Sequence, residues 1–94
     1  MNNIQIFQTN TFKKAYKKLH ENQLKAVNEA IRDSMKDPKL GILKKGDLNT
    51  VRVYKFKIST QLMLLAYSFE EHTLILTLLA LGSHENFYRN LKNN

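Results

Sequence analysis

The spacing of apolar positions changes period along this chain and divides it into a helical part and a strand-rich part. Ile4-Gln5-Ile6-Phe7 is short and β-prone and reads as an opening strand. Thr9, Asn10 and Thr11 then offer N-cap oxygens ahead of Phe12, Ala15, Tyr16 and Leu19, which fall at i, i+3, i+4 and i+7 of a helix. Lys13, Lys14, Lys17 and Lys18 take the opposite face. His20-Glu21-Asn22 interrupts the pattern, and Leu24, Val27, Ile31 and Met35 resume it in a second, longer helix. Pro38 ends that helix, because proline pushes the residue before it out of the α region. Two short helices joined this closely are expected to pack as an antiparallel hairpin.

Gly41 and Gly46 bracket a basic loop, Ile42-Leu43-Lys44-Lys45, after which the pattern alternates. Over residues 51–58, Arg52, Tyr54, Phe56 and Ile58 share one face, and Val51, Val53, Lys55 and Lys57 share the other. The aromatic face is expected to meet the helices, which leaves Lys55 and Lys57 on an open side. Residues 62–69 and 74–81 are apolar on both faces and predict well-covered strands. Glu70-Glu71-His72 is read as the tight hairpin between them. Ser83 is an N-cap candidate for a short closing helix from His84 to about Leu91, although Asn86 leaves a capping box incomplete. The order β-α-α-β-β-β-α predicts a two-layer α+β fold, with the helical hairpin on one face of an antiparallel-rich sheet of about four strands.

Length and charge narrow the reading. The 94 residues suit one domain, and with no cysteine neither a disulfide framework nor a thiolate metal site is available. No stretch has the ~20 apolar residues of a membrane span and no secretory leader pattern opens the chain, so a cytoplasmic protein is expected. The net charge of +7 is uneven: residues 1–60 hold 13 Lys and Arg against 5 Asp and Glu, while residues 61–94 hold 2 against 3. Such a field favours polyanions or an acidic protein as partners but carries no specificity of its own.

Candidate chemistry concentrates where the last strand runs out. Gly82-Ser83-His84-Glu85-Asn86-Phe87-Tyr88-Arg89 sets an imidazole, a phenol and a guanidinium just past a rigid element. Together with the basic strand Arg52-Val53-Tyr54-Lys55-Phe56-Lys57 this predicts a phosphate-handling site. Cleavage of RNA by its own 2′-hydroxyl needs a base, an acid and positive charge around the phosphorus. His84, with an ordinary pKa near ~6.5, can serve as acid or base, and Tyr88, four residues on, can orient it, donate a proton or stack on a base. Lys55 and Lys57 are read with His84 and Tyr88 as the catalytic set. Arg52, Lys44, Lys45 and Arg89 are the further candidates for phosphate contact. Glu85 can instead pair with Arg89 or complement the helix dipole. His20 and His72 lie in turns with no ligand set around them, so no metal and no other cofactor is expected.

The element order, the Tyr54-Lys55-Phe56-Lys57 strand, the Leu64-Leu65-Ala66-Tyr67 strand and the ending from Gly82 to Arg89 together resemble the RelE/ParE superfamily of bacterial toxins from type II toxin–antitoxin modules. The resemblance implies a microbial-RNase-like fold, a co-encoded antitoxin as partner and, in the RelE branch, cleavage of messenger RNA on the ribosome. It puts Lys55 and Lys57 where RelE-like toxins carry two lysines. The arginine those toxins have before the next strand's Leu-Val-Tyr segment is replaced by Leu64. His84 stands for their basic residue after the strand-ending glycine, as in the YoeB- and YafQ-like ribonucleases, and Tyr88 for a phenol one turn earlier than in RelE. The ParE branch implies another target, DNA gyrase, and a plain basic nucleic-acid-binding module is a third possibility.

Overall fold

The computed structural model describes residues 3–44, 51–83 and 87. Among these residues, five strands and two helices follow one another as β1 (Gln5–Gln8), α1 (Asn10–Lys17), α2 (Glu21–Lys36), β2 (Ile42–Leu43), β3 (Arg52–Ile58), β4 (Gln61–Glu70) and β5 (Ile75–Ser83). They form one mixed sheet in the order β1-β5-β4-β3-β2, with only the β1–β5 pair parallel. The helices lie on one face, α1 mainly over β5 and α2 over β3. The predicted α+β architecture is therefore present, with five strands rather than four. The addition is β2, whose two residues fall in the predicted basic loop and are too few to show an alternating period.

Thr9 fixes the start of α1 twice. Its Oγ1 accepts from the Phe12 N–H (3.1 Å) and donates to the Leu79 carbonyl (2.7 Å), joining the helix cap to β5. Phe12 is buried beneath α1, with Ala15, Tyr16 and Leu19 packed beside it, as their spacing predicts. In α2 the deepest line is Val27, Ala30 and Ser34 rather than the whole Leu24, Val27, Ile31, Met35 stripe. Small side chains at 30 and 34 let the helix approach the sheet, and the Ser34 hydroxyl is satisfied by donating to the Ala30 carbonyl (3.0 Å). Ile31 and Met35 are turned toward α1 instead.

Behind α2 the chain is pinned by Tyr67. Its buried hydroxyl donates to the Pro38 carbonyl (2.8 Å) and accepts from the Gly41 N–H (2.9 Å). A Cβ at Gly41 would stand 3.0 Å from the Tyr67 hydroxyl oxygen and 3.1 Å from the Val53 carbonyl carbon, so only glycine fits this crossing without displacement.

A bulge in β5 sets which residues face which way. Ala66 pairs with Ala80 but Tyr67 pairs with Leu78, so Leu79 is an extra residue. Leu76, Leu78 and Leu81 consequently all join the core under the helices, whereas Leu79 and Ala80 turn to the other face. The bulged carbonyl of Leu79 is the one that accepts from Thr9.

Candidate functional site

Strand alternation delivers the two lysines of β3 as predicted. Tyr54, Phe56 and Ile58 pack against the core beneath the helices, while Val51 and Val53 belong to a separate cluster on the far face. Lys55 and Lys57, two and four residues beyond Val53, share that far face and are exposed. Two residues along a strand span about 7 Å, so each ammonium can meet its own phosphate oxygen. Lys44 approaches the same side: its N–H donates to the Val51 carbonyl (2.8 Å), continuing the β2–β3 register one residue further.

The end of β5 lies level with these lysines. Lys55 pairs with Leu64 and Leu64 with Gly82, while Phe56 pairs with Met63 and Met63 with Ser83. Two interstrand spacings, about 10 Å, separate β3 from β5 across this row. His84 is the next residue in the chain, but His84, Tyr88 and Arg89 lie outside the described residues, as does Lys45. The expected closing helix does too, apart from Phe87, which is helical.

Arg52 stands apart from the lysines. By alternation it is on the helix side of β3, where its guanidinium donates to the carbonyls of Gly41 (2.9 Å) and Lys39 (3.3 Å). Those bonds hold the connection between α2 and β2, a structural use for a residue expected at the phosphate. At the sheet edge Lys57 also borders a cleft of about 140 Å³ shared with Glu29, Asp33 and Tyr54. Tyr54 donates a long bond to Asp33 (3.4 Å), and burial, reinforced by the Asp33 charge, pushes its phenol above the ordinary value. Lys57 thus has an acidic flank on the helix side.

Phe87 is the site neighbour that sequence reasoning missed. Its ring is 2 % exposed and packs with Val51, Val53, Leu64, Ala66 and Ala80, so the far face of the sheet is not simply open. Leu64 is fully buried in this cluster. A lone phenylalanine in the polar run after Ser83 was the available signal. Among the described residues no helix is long and apolar enough to cross a membrane.

Three solved structures with this fold are distant in sequence. The toxin–antitoxin complex RelBE2 from Mycobacterium tuberculosis contains a chain 20% identical, with a TM-score of 0.74 over 89% of this chain and 94% of that one. The intact RelBE toxin–antitoxin complex of E. coli gives 13% identity and a TM-score of 0.71, covering 87% and 98%. The conserved hypothetical protein HP0892 from Helicobacter pylori is 24% identical, with a TM-score of 0.53 over 86% and 94%. At these identities the likeness establishes the fold. No curated protein matches the sequence significantly. Residues 6–92, however, match the model of a sequence family, and on that match the chain belongs to the ParE-like toxins of type II bacterial toxin–antitoxin systems.

Proposed function

We propose that the chain inhibits translation as a metal-independent, ribosome-dependent endoribonuclease acting in the cytoplasm, held in check by a cognate antitoxin. The observation that carries this reading is the placement of exposed Lys55 and Lys57 on the sheet face opposite the helices, level with the end of β5 that leads into His84. In this reading Lys55 and Lys57 neutralise the scissile phosphate as negative charge builds on it, Lys44 and Lys45 extend the cationic track, and Arg89 clamps a neighbouring phosphate. His84 moves the proton, and Tyr88 positions it or supplies the second proton. The RelBE complexes of similar fold support an antitoxin as partner, and the +7 charge suits an acidic one.

One observation favours a second reading. Leu64 is buried under Phe87 where RelE-like toxins carry an arginine, and the matching family is named for ParE, so poisoning of DNA gyrase is the competing activity. Inducible expression in bacteria with primer-extension mapping of transcript ends separates the two. Cuts within translated codons are expected, and DNA damage without such cuts would establish the gyrase reading. His84→Gln is expected to lower cleavage by roughly 10²–10⁴-fold with an unchanged melting temperature. Lys57→Ala should weaken cleavage while shifting stability by less than about 0.5 kcal/mol. Undiminished cleavage by a His84→Gln, Tyr88→Phe double variant would remove both residues from the site.

A further inference from the structure

The far face carries a second feature, at the end of the sheet opposite Lys55 and Lys57. A cavity of about 320 Å³ opens there beside the β4–β5 hairpin, lined by Ser68, Phe69, Glu70, Ile75 and Thr77. Ligand pockets begin at about 300 Å³. Tyr67 and Leu76 lie in the core beneath the helices and Phe69 packs against it, so alternation turns Ser68, Glu70, Ile75 and Thr77 to the far face. The register sets these side chains in two rows. Phe7, Thr77 and Ser68 stand side by side across β1, β5 and β4, and Gln5, Ile75 and Glu70 form the row next to them.

This patch is built unlike the lysine end of the same face. Ile75 and the Thr77 methyl give β5 an apolar surface, while the Ser68 hydroxyl and the Glu70 carboxylate stand on the neighbouring strand, about 5 Å away. Phe7, 52 % exposed, marks the β1 edge. Among the described residues Glu71 forms an ion pair with Lys39 (3.0 Å), whereas its exposed neighbour Glu70 forms none. A carboxylate accepts hydrogen bonds and donates none, and the two hydroxyls do both. A flat ligand resting on β5 therefore meets a pair of acceptor oxygens along one edge, hydroxyls beside them and an aromatic ring where it leaves the sheet.

We propose that this patch is a binding site for an unpaired guanine base, presented by a single-stranded RNA or by a free nucleotide. Guanine offers two adjacent donors, N1–H and N2–H, to the two oxygens of one carboxylate, whereas adenine, cytosine and uracil each offer one donor group on that edge. Its O6, next along the same edge, accepts from the Ser68 hydroxyl. The ring system lies on Ile75 and Thr77, and the ribose and phosphate leave over β1 past Phe7, away from the Glu70 charge. A cation would also suit a carboxylate, but the chain's net charge of +7 repels an amine or guanidinium and attracts the phosphate attached to a base. An aliphatic ligand would leave the carboxylate and hydroxyls unpaired. Binding a base needs no cleavage, so the proposal stands or falls apart from the endoribonuclease reading.

The test titrates the full-length chain with short 2′-O-methyl oligouridylates, which lack the 2′-hydroxyl nucleophile, carrying one central guanine, adenine or cytosine. The guanine oligomer is expected to bind at least about 5-fold more tightly than the others and to shift the amide resonances of Ser68, Glu70 and Thr77. Phosphate contacts with Lys55 and Lys57 are common to every oligomer, so the difference isolates the base. Guanosine monophosphate, titrated alone against adenosine monophosphate, separates the sources. If it matches the oligomer's affinity and preference the ligand is a free nucleotide, and if it is markedly weaker the ligand is an RNA strand; either result supports the site. Glu70→Gln, an isosteric change at an exposed position, should erase the guanine preference with an unchanged melting temperature, and Ser68→Ala should reduce it in part. Equal binding of all the oligomers, shifts confined to Lys55 and Lys57, or a guanine preference that survives Glu70→Gln would each overturn the proposal.

Discussion

On the helix side of the sheet, Tyr54, Phe56, Met63, Leu65, Tyr67, Leu76 and Leu78 meet the helices or their connections, and its polar groups are hydrogen-bonded in place. On the far side, Val51, Val53, Leu64, Ala66 and Ala80 make a smaller cluster among the described residues with the Phe87 ring, and the surface beyond it carries exposed Lys55 and Lys57. Both faces use the same three central strands. Their difference comes from the two-residue period of β-structure, which lets neighbouring residues of β3 serve the core and the candidate site in turn. A face covered by two helices has its stability distributed over many contacts. Where, among the described residues, Phe87 is the aromatic over the far-face cluster, tolerance for change is concentrated at the edge of that ring's footprint.

The largest test of this contrast lies at Leu64. If Phe87 seals the centre of the far face, Leu64→Arg places an unpaired charge where no surface is exposed, and a loss of roughly 3–5 kcal/mol is expected, read by thermal or urea unfolding. Were the arginine instead accepted with little loss, Phe87 would have to swing away and the face would be open in solution.

On the helix side the equivalent test is Tyr67→Phe, which keeps the ring and strands the Pro38 carbonyl and the Gly41 N–H. Leaving those buried groups unpaired should cost roughly 2–4 kcal/mol. Burial raises the Tyr67 phenol above its ordinary value of 10.0, outweighing the Gly41 hydrogen bond and the Arg52 charge, which pull it down. Below pH 10 both folded and unfolded chains keep that proton, so its contribution is fully present. As pH rises past 10 the unfolded phenol ionises first, and stability should fall until the folded one ionises too. Denaturant titrations from pH 8 to 11 should show a steeper alkaline loss for the parent than for Tyr67→Phe. Equal slopes would mean that the phenol is not withheld from solvent.

These two positions also mark what the sequence made legible. Alternation in residues 51–58 was enough to assign Lys55 and Lys57 to the face away from the helices, because tyrosine and phenylalanine on one side and lysine on the other leave little ambiguity. In β4 and β5 both faces are apolar, so period carried no such information, and the bulge at Leu79 that redirects Ala80 and Leu81 left no compositional trace. The sequence shows only the charge of Arg52, whereas its bonds to Gly41 and Lys39 depend on a chain crossing that only the folded molecule creates. Phe87 falls in the predicted closing helix by sequence, yet it packs on the far-face cluster and separates its buried centre from the exposed basic margin.

The smallest effect is expected at the hairpin between β3 and β4, which belongs to neither face. Ile58 pairs with Gln61, so Ser59 and Thr60 form a two-residue turn, and Ser59 has φ of 55°. Two-residue hairpins favour a positive φ at the first central position because it matches the twist of the strands, and glycine adopts it without the crowding a Cβ creates. Ser59→Gly relieves that crowding but makes the unfolded chain more flexible, so a net gain of only about 0.5 kcal/mol is expected, or roughly 2–4 °C in Tm. The substitution removes no contact from the helix-side core and no charge from the far face. Cleavage should therefore be unchanged while stability rises. A fall in cleavage would show that the turn, two residues from Lys57, sets the position of the lysines, and the separation of the two faces would then have to include their common end.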